Sequence, residues 1–251
     1  MSPTTPELRW LAFDTSTDVL SLAVARGDRV WTQTLPGGAQ SSSVLIPAVL
    51  AMLAEADMTL ASLTAIVFGR GPGSFTGLRT ACAVAQGLAF GADIPVLPVD
   101  TLLAVAEEAR WQRVQTAGVA DADVSVLALL DARMDEVYSA AYQWSAAGQS
   151  WQAVSTLQVS APEKVQAAGT VLAGNVFEAY GPRLDMTGER CVALPTAAAL
   201  LRLAPALWAQ GLAVPADQAM PLYIRDKVAN TTAEREALKA QAALAKAASN
   251  P

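Results

Sequence analysis

The chain has 251 residues, enough for one large domain or two joined lobes, and 53% hydrophobic against 16% charged residues place it far from disorder. Seventeen basic against twenty-three acidic residues leave a net charge of -6, which disfavours autonomous binding to phosphate backbones or anionic membranes. Histidine is absent and the only cysteines, Cys82 and Cys191, lie far apart. This excludes Ser-His-Asp and Cys-His nucleophile systems, imidazole or thiolate-rich zinc sites, and the disulfide density of a small secreted domain.

The opening "MSPTTPELRW" lacks a basic region followed by an apolar run, and no uninterrupted apolar stretch reaches the roughly 18 to 20 residues of a membrane span. A soluble, cytoplasmic protein is the expectation. Residues 1–7 are expected to be loose. From residue 8 an N-terminal lobe extends to 111, beginning with "LRWLAFDTSTDVLSLAVARGDRVWTQTLP", three β-rich runs separated by turn-forming clusters and hence a three-stranded meander. "QSSSVLIPAVLAMLAEADM" follows with Leu45, Val49, Met52 and Leu53 on one helical face, serines suited to capping, and Pro47 early enough to be tolerated.

"LTAIVFG" reads as a buried strand delivering the chain into "GRGPGSFTGLRTACAVAQGLAFGA", a glycine turn and a small-residue helix that should stop near Gly91. The turn fits neither standard phosphate cradle. No lysine follows the glycines as a P-loop needs, and the dinucleotide pattern G-x-G-x-x-G fails at Ser74 or Thr76. Exposed N–H groups near a helix N-terminus could still attract an anion. The helix carries two apolar stripes, Leu78, Cys82, Ala85 and Ala89 on one and Ala81, Val84 and Leu88 on another, so it should have two neighbours.

"IPVLPV" is a further strand and "DTLLAVAEEAR" a helix capped by Asp100 or Thr101. Residues 112–123 read as a polar connection before a C-terminal lobe at 124–229. There "ALLDARMDEVYSAA" can be laid over "LAFDTSTDVLSLAV" at an offset of 117 residues, with Asp131 opposite Asp14 and Asp135 opposite Asp18. A duplicated lobe explains this; so does the general likeness of strand-turn-strand units, in which aspartate is common. The acidic side chains Asp14, Asp18, Asp131, Asp135 and Glu136 could hold magnesium or simply bond to backbone N–H groups in their turns, the second being favoured for Asp18 and Asp135. A strand in "TVLAGN", a helix in "PTAAALLRLAPALWAQG" ended by Gly211, and a tail at 230–251 of frayed-helix character complete the chain.

"LAFDTST", "GRGPGSFTGLRTACAVAQGLAFGA", "VLALLDARMDEVYSAAY" and "PLYIRDKVA" together resemble the TsaB (YeaZ) family over residues 8–229. The resemblance implies an α/β actin-like, Hsp70-like (ASKHA) nucleotide-binding fold of two duplicated lobes. It implies a non-catalytic partner of the TsaD threonylcarbamoyl transferase, required for threonylcarbamoyladenosine at position 37 of tRNAs reading ANN codons. TsaD, a TsaE-like ATPase and a second copy of the chain are the implied partners, with tRNA met only through the complex. No tightly bound cofactor is expected, though ATP or ADP with magnesium could sit at the complex interface.

Asp14, Thr15, Ser16 and Asp131 match the nucleotide-facing turns. The docking surface is implied on residues 42–56 and 76–90, with Leu45, Val49, Met52, Leu53, Leu78, Ala81, Cys82, Ala85, Leu88 and Ala89 as its candidate residues, so that Ala85→Arg or Ala81→Glu should abolish docking and leave the lobe folded. Where family members often carry a histidine before the first helix, this chain has Gln40 and Ser41. The competing reading from the residues is an autonomous ATPase or sugar kinase of the same fold; a peptidase lacks any nucleophile-base pair.

Overall fold

The structure, a computed structural model, describes residues 7–117, 122–166 and 171–225. The expected loose start, except Glu7, and the 230–251 tail lie outside the described residues.

The meander forms as expected: β1 (Arg9–Asp14), β2 (Val19–Arg26) and β3 (Arg29–Pro36) are successive antiparallel neighbours. After α1 (Ser41–Glu55), β4 (Ala65–Gly71) returns parallel to β1, and after α2 (Phe75–Ala92), β5 (Val96–Asp100) adds parallel to β4. The sheet order is β3-β2-β1-β4-β5. Helix α3 (Thr101–Ala117) leads into the second half, which holds β6 (Val124–Asp131), β7 (Val137–Ser145), β8 (Ser150–Ala153) and β9 (Gln158–Ser160). β10 (Val171–Gly174), α4 (Phe177–Tyr180), β11 (Glu189–Val192) and α5 (Ala197–Ala209) follow.

The second sheet is ordered β11-β10-β6-β7-β8, with β9 also on β7. Read from the other side, this is the first sheet's order, with the same parallel and antiparallel pairings. Asp14 and Asp131 each close the first strand of their sheet, as the 117-residue offset placed them.

Strand alternation sets the layers. In the first sheet Leu11, Phe13, Leu20, Leu22, Ile66 and Phe68 face α1 and α2. The opposite face offers mostly smaller residues, among them Ala12, Ala23, Ala65 and Val67, to Leu200, Leu203 and Ala204 of α5. Helix α3 buries Leu102, Val105, Ala106 and Ala109 against Val126, Ala128 and Leu130 of the second sheet. Thus α3 comes from the first half and packs on the second sheet, while α5 comes from the second half and packs on the first. The far face of the second sheet is covered by Val176, Tyr180 and Leu184 in and around the single-turn α4.

Three local expectations need correction. Residues 112–117 continue α3 instead of beginning a polar connection, and the polar side chains of Gln112 and Arg113 find partners from the helix: Gln112 donates to Glu108 at 3.3 Å and Arg113 pairs with Glu189 at 3.3 Å. The serines do not cap α1: its N-cap is Gln40 with no side-chain cap, Ser41 is buried, and Ser43 donates back to the Gln40 carbonyl. Helix α2 ends one residue past Gly91, with Asp93 in the left-handed conformation at φ 54° as its C-cap.

Candidate functional site: an interlobe cleft and an outer helix face

Sequence reading excluded both standard phosphate cradles and took the stretch as chiefly a helix-packing device led in by a glycine turn. Gly69, Gly73 and Gly77 each abut one residue of the Asp14-Thr15-Ser16 turn, while Gly71 abuts the Leu222 carbonyl and Leu78. A Cβ at Gly69 would lie 1.8 Å from Asp14 Oδ2, one at Gly73 would lie 2.6 Å from Ser16 Cβ, and one at Gly77 would lie 1.8 Å from the Thr15 carbonyl oxygen. Thr15 Oγ1 donates to the Gly77 carbonyl at 2.7 Å, and Ser74 N donates to the Ser16 carbonyl at 2.7 Å. The small residues let the N-terminus of α2 clamp the first turn.

A cleft of about 320 Å³ opens between the two sheets' first turns, lined by Ser16, Ser74, Thr76, Asp131, Arg133 and Asn175 among others. The residues matched to nucleotide turns part company here, for Ser16 and Asp131 line the cleft and Asp14 and Thr15 do not. Both of the latter are fully buried. Asp14 Oδ1 accepts from Ser16 N at 2.8 Å and from Ser16 Oγ, while Oδ2 is buried without a hydrogen-bond partner. Burial raises this carboxyl to about 6 against the pull of the two Ser16 donors. A hidden, reluctant carboxylate of this kind is a poor ligand for a magnesium-bound nucleotide in the cleft.

Asp131 is also occupied. Its Oδ1 accepts from Arg133 N at 2.8 Å and from the Tyr180 hydroxyl at 2.9 Å, and Oδ2 lies 3.5 Å from the Arg133 guanidinium. Burial and this bond to Asp131 both raise the Tyr180 hydroxyl, which therefore stays a donor at neutral pH. Arg133 also reaches across the cleft to Asp18 at 2.6 Å, joining the two lobes' first turns. It belongs to a run of left-handed residues, Arg133, Met134 and Asp135 at φ 58°, 55° and 64°, tied down by Arg225, which donates to the Ala132 carbonyl at 3.2 Å and pairs with Glu136. Of the acidic side chains that could have held magnesium, Asp18, Asp131, Asp135 and Glu136 are each paired with an arginine. No cluster of three or more His, Cys, Asp or Glu side chains suited to a metal ion occurs among the described residues.

A second polar centre went unread in the sequence. Glu107, 2% exposed, accepts from Arg110 Nε and Nη2 at 2.9 Å each, from Arg202 at 2.7 Å and from Trp151 Nε1 at 2.9 Å. It bolts α3, α5 and β8 together. The signal was present as isolated charges in apolar helices, "VAEEAR" and "LLRLA", which mark buried pairs.

The implied docking residues require the principal correction. Leu45, Val49, Met52, Leu53, Leu78, Ala81, Cys82, Ala85 and Ala89 are all buried in the chain's own core, and Leu88 is half-buried against it. They hold the helices to the sheet. The outer faces of those helices are nevertheless apolar: Ile46 is 41% exposed, Leu50 51% and Phe90 81%. Between these lie Ala51, Ala54, Ala83, Gly87 and Gly91, all exposed. Gly38–Glu55 has the length and mean hydropathy of a membrane span, yet it lies on the sheet with 28% of it buried. Its apolarity thus exceeds what the core uses.

The protein named tRNA threonylcarbamoyladenosine biosynthesis protein TsaB in Escherichia coli K12 is 34% identical over 232 residues, covering 88% of this chain and 96% of that one. The chain belongs to the TsaB family. TsaB of Haemophilus influenzae gives the same 34% identity over 234 residues, 88% of this chain and 95% of its own. The solved structure of YeaZ from Pseudomonas aeruginosa superposes with a TM-score of 0.76 at 36% identity, covering 86% of this chain and 99% of that one. A family model described as TsaD, tRNA N6-adenosine threonylcarbamoyltransferase, matches residues 36–171, spanning parts of both lobes. TsaB-type chains and the transferase family thus share this stretch of the α/β actin-like, ASKHA-type fold.

Proposed function

We propose that the chain is a non-catalytic partner of TsaD in the biosynthesis of tRNA threonylcarbamoyladenosine, and that the outer face of α1 and α2 is where the two proteins meet. The apolar outer face, with Ile46, Leu50 and Phe90 in water, carries the reading. A Cβ at Gly87 or Gly91 would meet nothing within 4 Å, so neither glycine is required by the chain's own packing. Both lower helix propensity and both allow a foreign helix to approach closely. Family membership supplies the biological setting, since the TsaB relatives are named for threonylcarbamoyladenosine biosynthesis.

The non-catalytic role is supported by the residues. The chain has no histidine, Asp14 is buried away from the cleft, and Asp131 is engaged by Arg133 and Tyr180. On this reading any ATP or ADP with magnesium is held at the junction with the partner, a TsaE-like ATPase joins the assembled pair, and tRNA is contacted through the complex, in keeping with the net charge of -6. The same face serves a second copy of the chain when TsaD is absent, and the complex works in the cytoplasm.

The test is co-elution with TsaD on size exclusion. The wild type is expected to shift to a complex, and Ala83→Arg and Leu50→Glu to remain alone while melting as the wild type does. Co-elution undisturbed by both substitutions would remove this face from consideration.

A further inference from the structure

The outward stripe of α2 runs Phe75, Arg79, Ala83, Gly87 and Gly91 at helical spacing, and all five are exposed. Its N-terminal end is flanked by the segment 219–225. The Ala219 carbonyl accepts from Cys82 Sγ at 2.9 Å and Gln86 Nε2 at 3.1 Å, and Leu222 N donates to the Arg70 carbonyl at 2.7 Å. These bonds seat Tyr223 with its ring 5.3 Å from that of Phe75 and leave Met220 65% exposed beside α2.

Arg79 is held by both aromatic residues. Its guanidinium carbon lies 3.8 Å from the Phe75 centroid, and its Nε donates to the Tyr223 hydroxyl at 3.1 Å. It is the one charged residue of α2, and no carboxylate among the described residues pairs with it. A helix packed along this stripe would cover Arg79 together with Ala83 and Gly87. A guanidinium stripped of water without a counter-charge opposes association, whereas one already oriented by aromatic neighbours gives up little freedom on pairing.

We propose that Phe75, Arg79 and Tyr223 form the charged end of the docking footprint, receiving an acidic side chain of the transferase partner, so that the footprint extends beyond the helix pair onto the 219–225 segment. This rests on the assignment of the α1 and α2 outer face to that partner. Continuity with the apolar stripe favours a protein carboxylate. A polyanion would meet the exposed Asp18 on the neighbouring turn and the net negative charge of the chain. Arginine and tyrosine are also the residue types that dominate binding energy where they are anchored in an interface.

The experiment measures the affinity of the full chain for TsaD by calorimetry at low and high salt, with Arg79→Ala, Tyr223→Ala and Ala83→Arg each checked for unchanged melting. Arg79→Ala is expected to weaken binding by about tenfold to a hundredfold, with the gap narrowing as salt rises, and Tyr223→Ala by about tenfold. If Ala83→Arg abolishes binding while Arg79→Ala and Tyr223→Ala bind as wild type, the footprint ends at the helices and the proposal is overturned. If Ala83→Arg binds as wild type, the helix-face assignment itself fails. A third outcome also overturns it: Arg79→Ala binding TsaD normally but losing affinity for ADP would mark the cluster as a phosphate site.

Discussion

Asp14 Oδ2 faces Gly69 so closely that a Cβ at residue 69 would fall 1.8 Å from the oxygen, and the fully buried carboxyl is raised to about 6, chiefly by desolvation. A carboxyl whose folded pKa lies above its unfolded value stabilises the fold in its protonated form. That contribution is complete below the ordinary value of 3.8 and is lost as pH rises through about 6.

Asp14→Asn keeps an acceptor for Ser16 and removes the titration. Its stability relative to wild type is therefore expected to improve between pH 4 and pH 7, by on the order of 3 kcal/mol if the whole shift is realised. Urea midpoints at the two pH values check this. A wild-type-to-variant difference that does not change with pH would show that Asp14 titrates normally.

Gly77→Ala and Gly87→Ala should act in opposite directions although both lie in α2. The first drives a methyl into the Thr15 carbonyl and is expected to destabilise by about 1–3 kcal/mol. The second meets nothing and should raise stability by about 0.5–1 kcal/mol through helix propensity, while weakening TsaD binding by spacing the helices apart. Thermal melts of the isolated chain and a binding isotherm separate the two effects.

Ala81→Glu and Ala85→Arg should unfold the first lobe instead of merely blocking docking, since both sites are fully buried against the first sheet. Circular dichroism at 25 °C is expected to show lost helix and a lowered urea midpoint. A native-like spectrum with unaltered stability would contradict the burial of this face.

Glu107→Ala removes the buried carboxylate shared by Arg110, Arg202 and Trp151 and is expected to destabilise by about 3–5 kcal/mol. Asp18→Ala breaks an ion pair whose side chains are 77% and 69% exposed, and should change stability by less than about 1 kcal/mol. Denaturant titration of the two variants side by side tests the ranking. Equal losses would mean that the cleft bridge carries more than its exposure allows.

The paired sheets were legible because strand periodicity and the Asp14 and Asp131 turns repeat along the chain. The inward faces of α1 and α2 were legible as stripes but not as inward. Leu45 and Leu50, or Ala85 and Ala83, are chemically alike, and a helix apolar all round gives periodicity no side to prefer. The Asp14 turn was recognised, yet its burial depends on Gly69 and Gly77 approaching from another strand and helix, a long-range contact that local pattern does not encode. Residues 112–117 misled for the converse reason, because a polar surface helix and a polar loop share a composition.

The two halves repeat in topology but not in upholstery: one sheet wears two long helices on its outer side, the other a single turn at Phe177–Tyr180 with its flanking residues. A molecule with such a face on both ends could string like units into a filament. With one such face among the described residues, packing through these helices seats a single neighbour and ends at a pair.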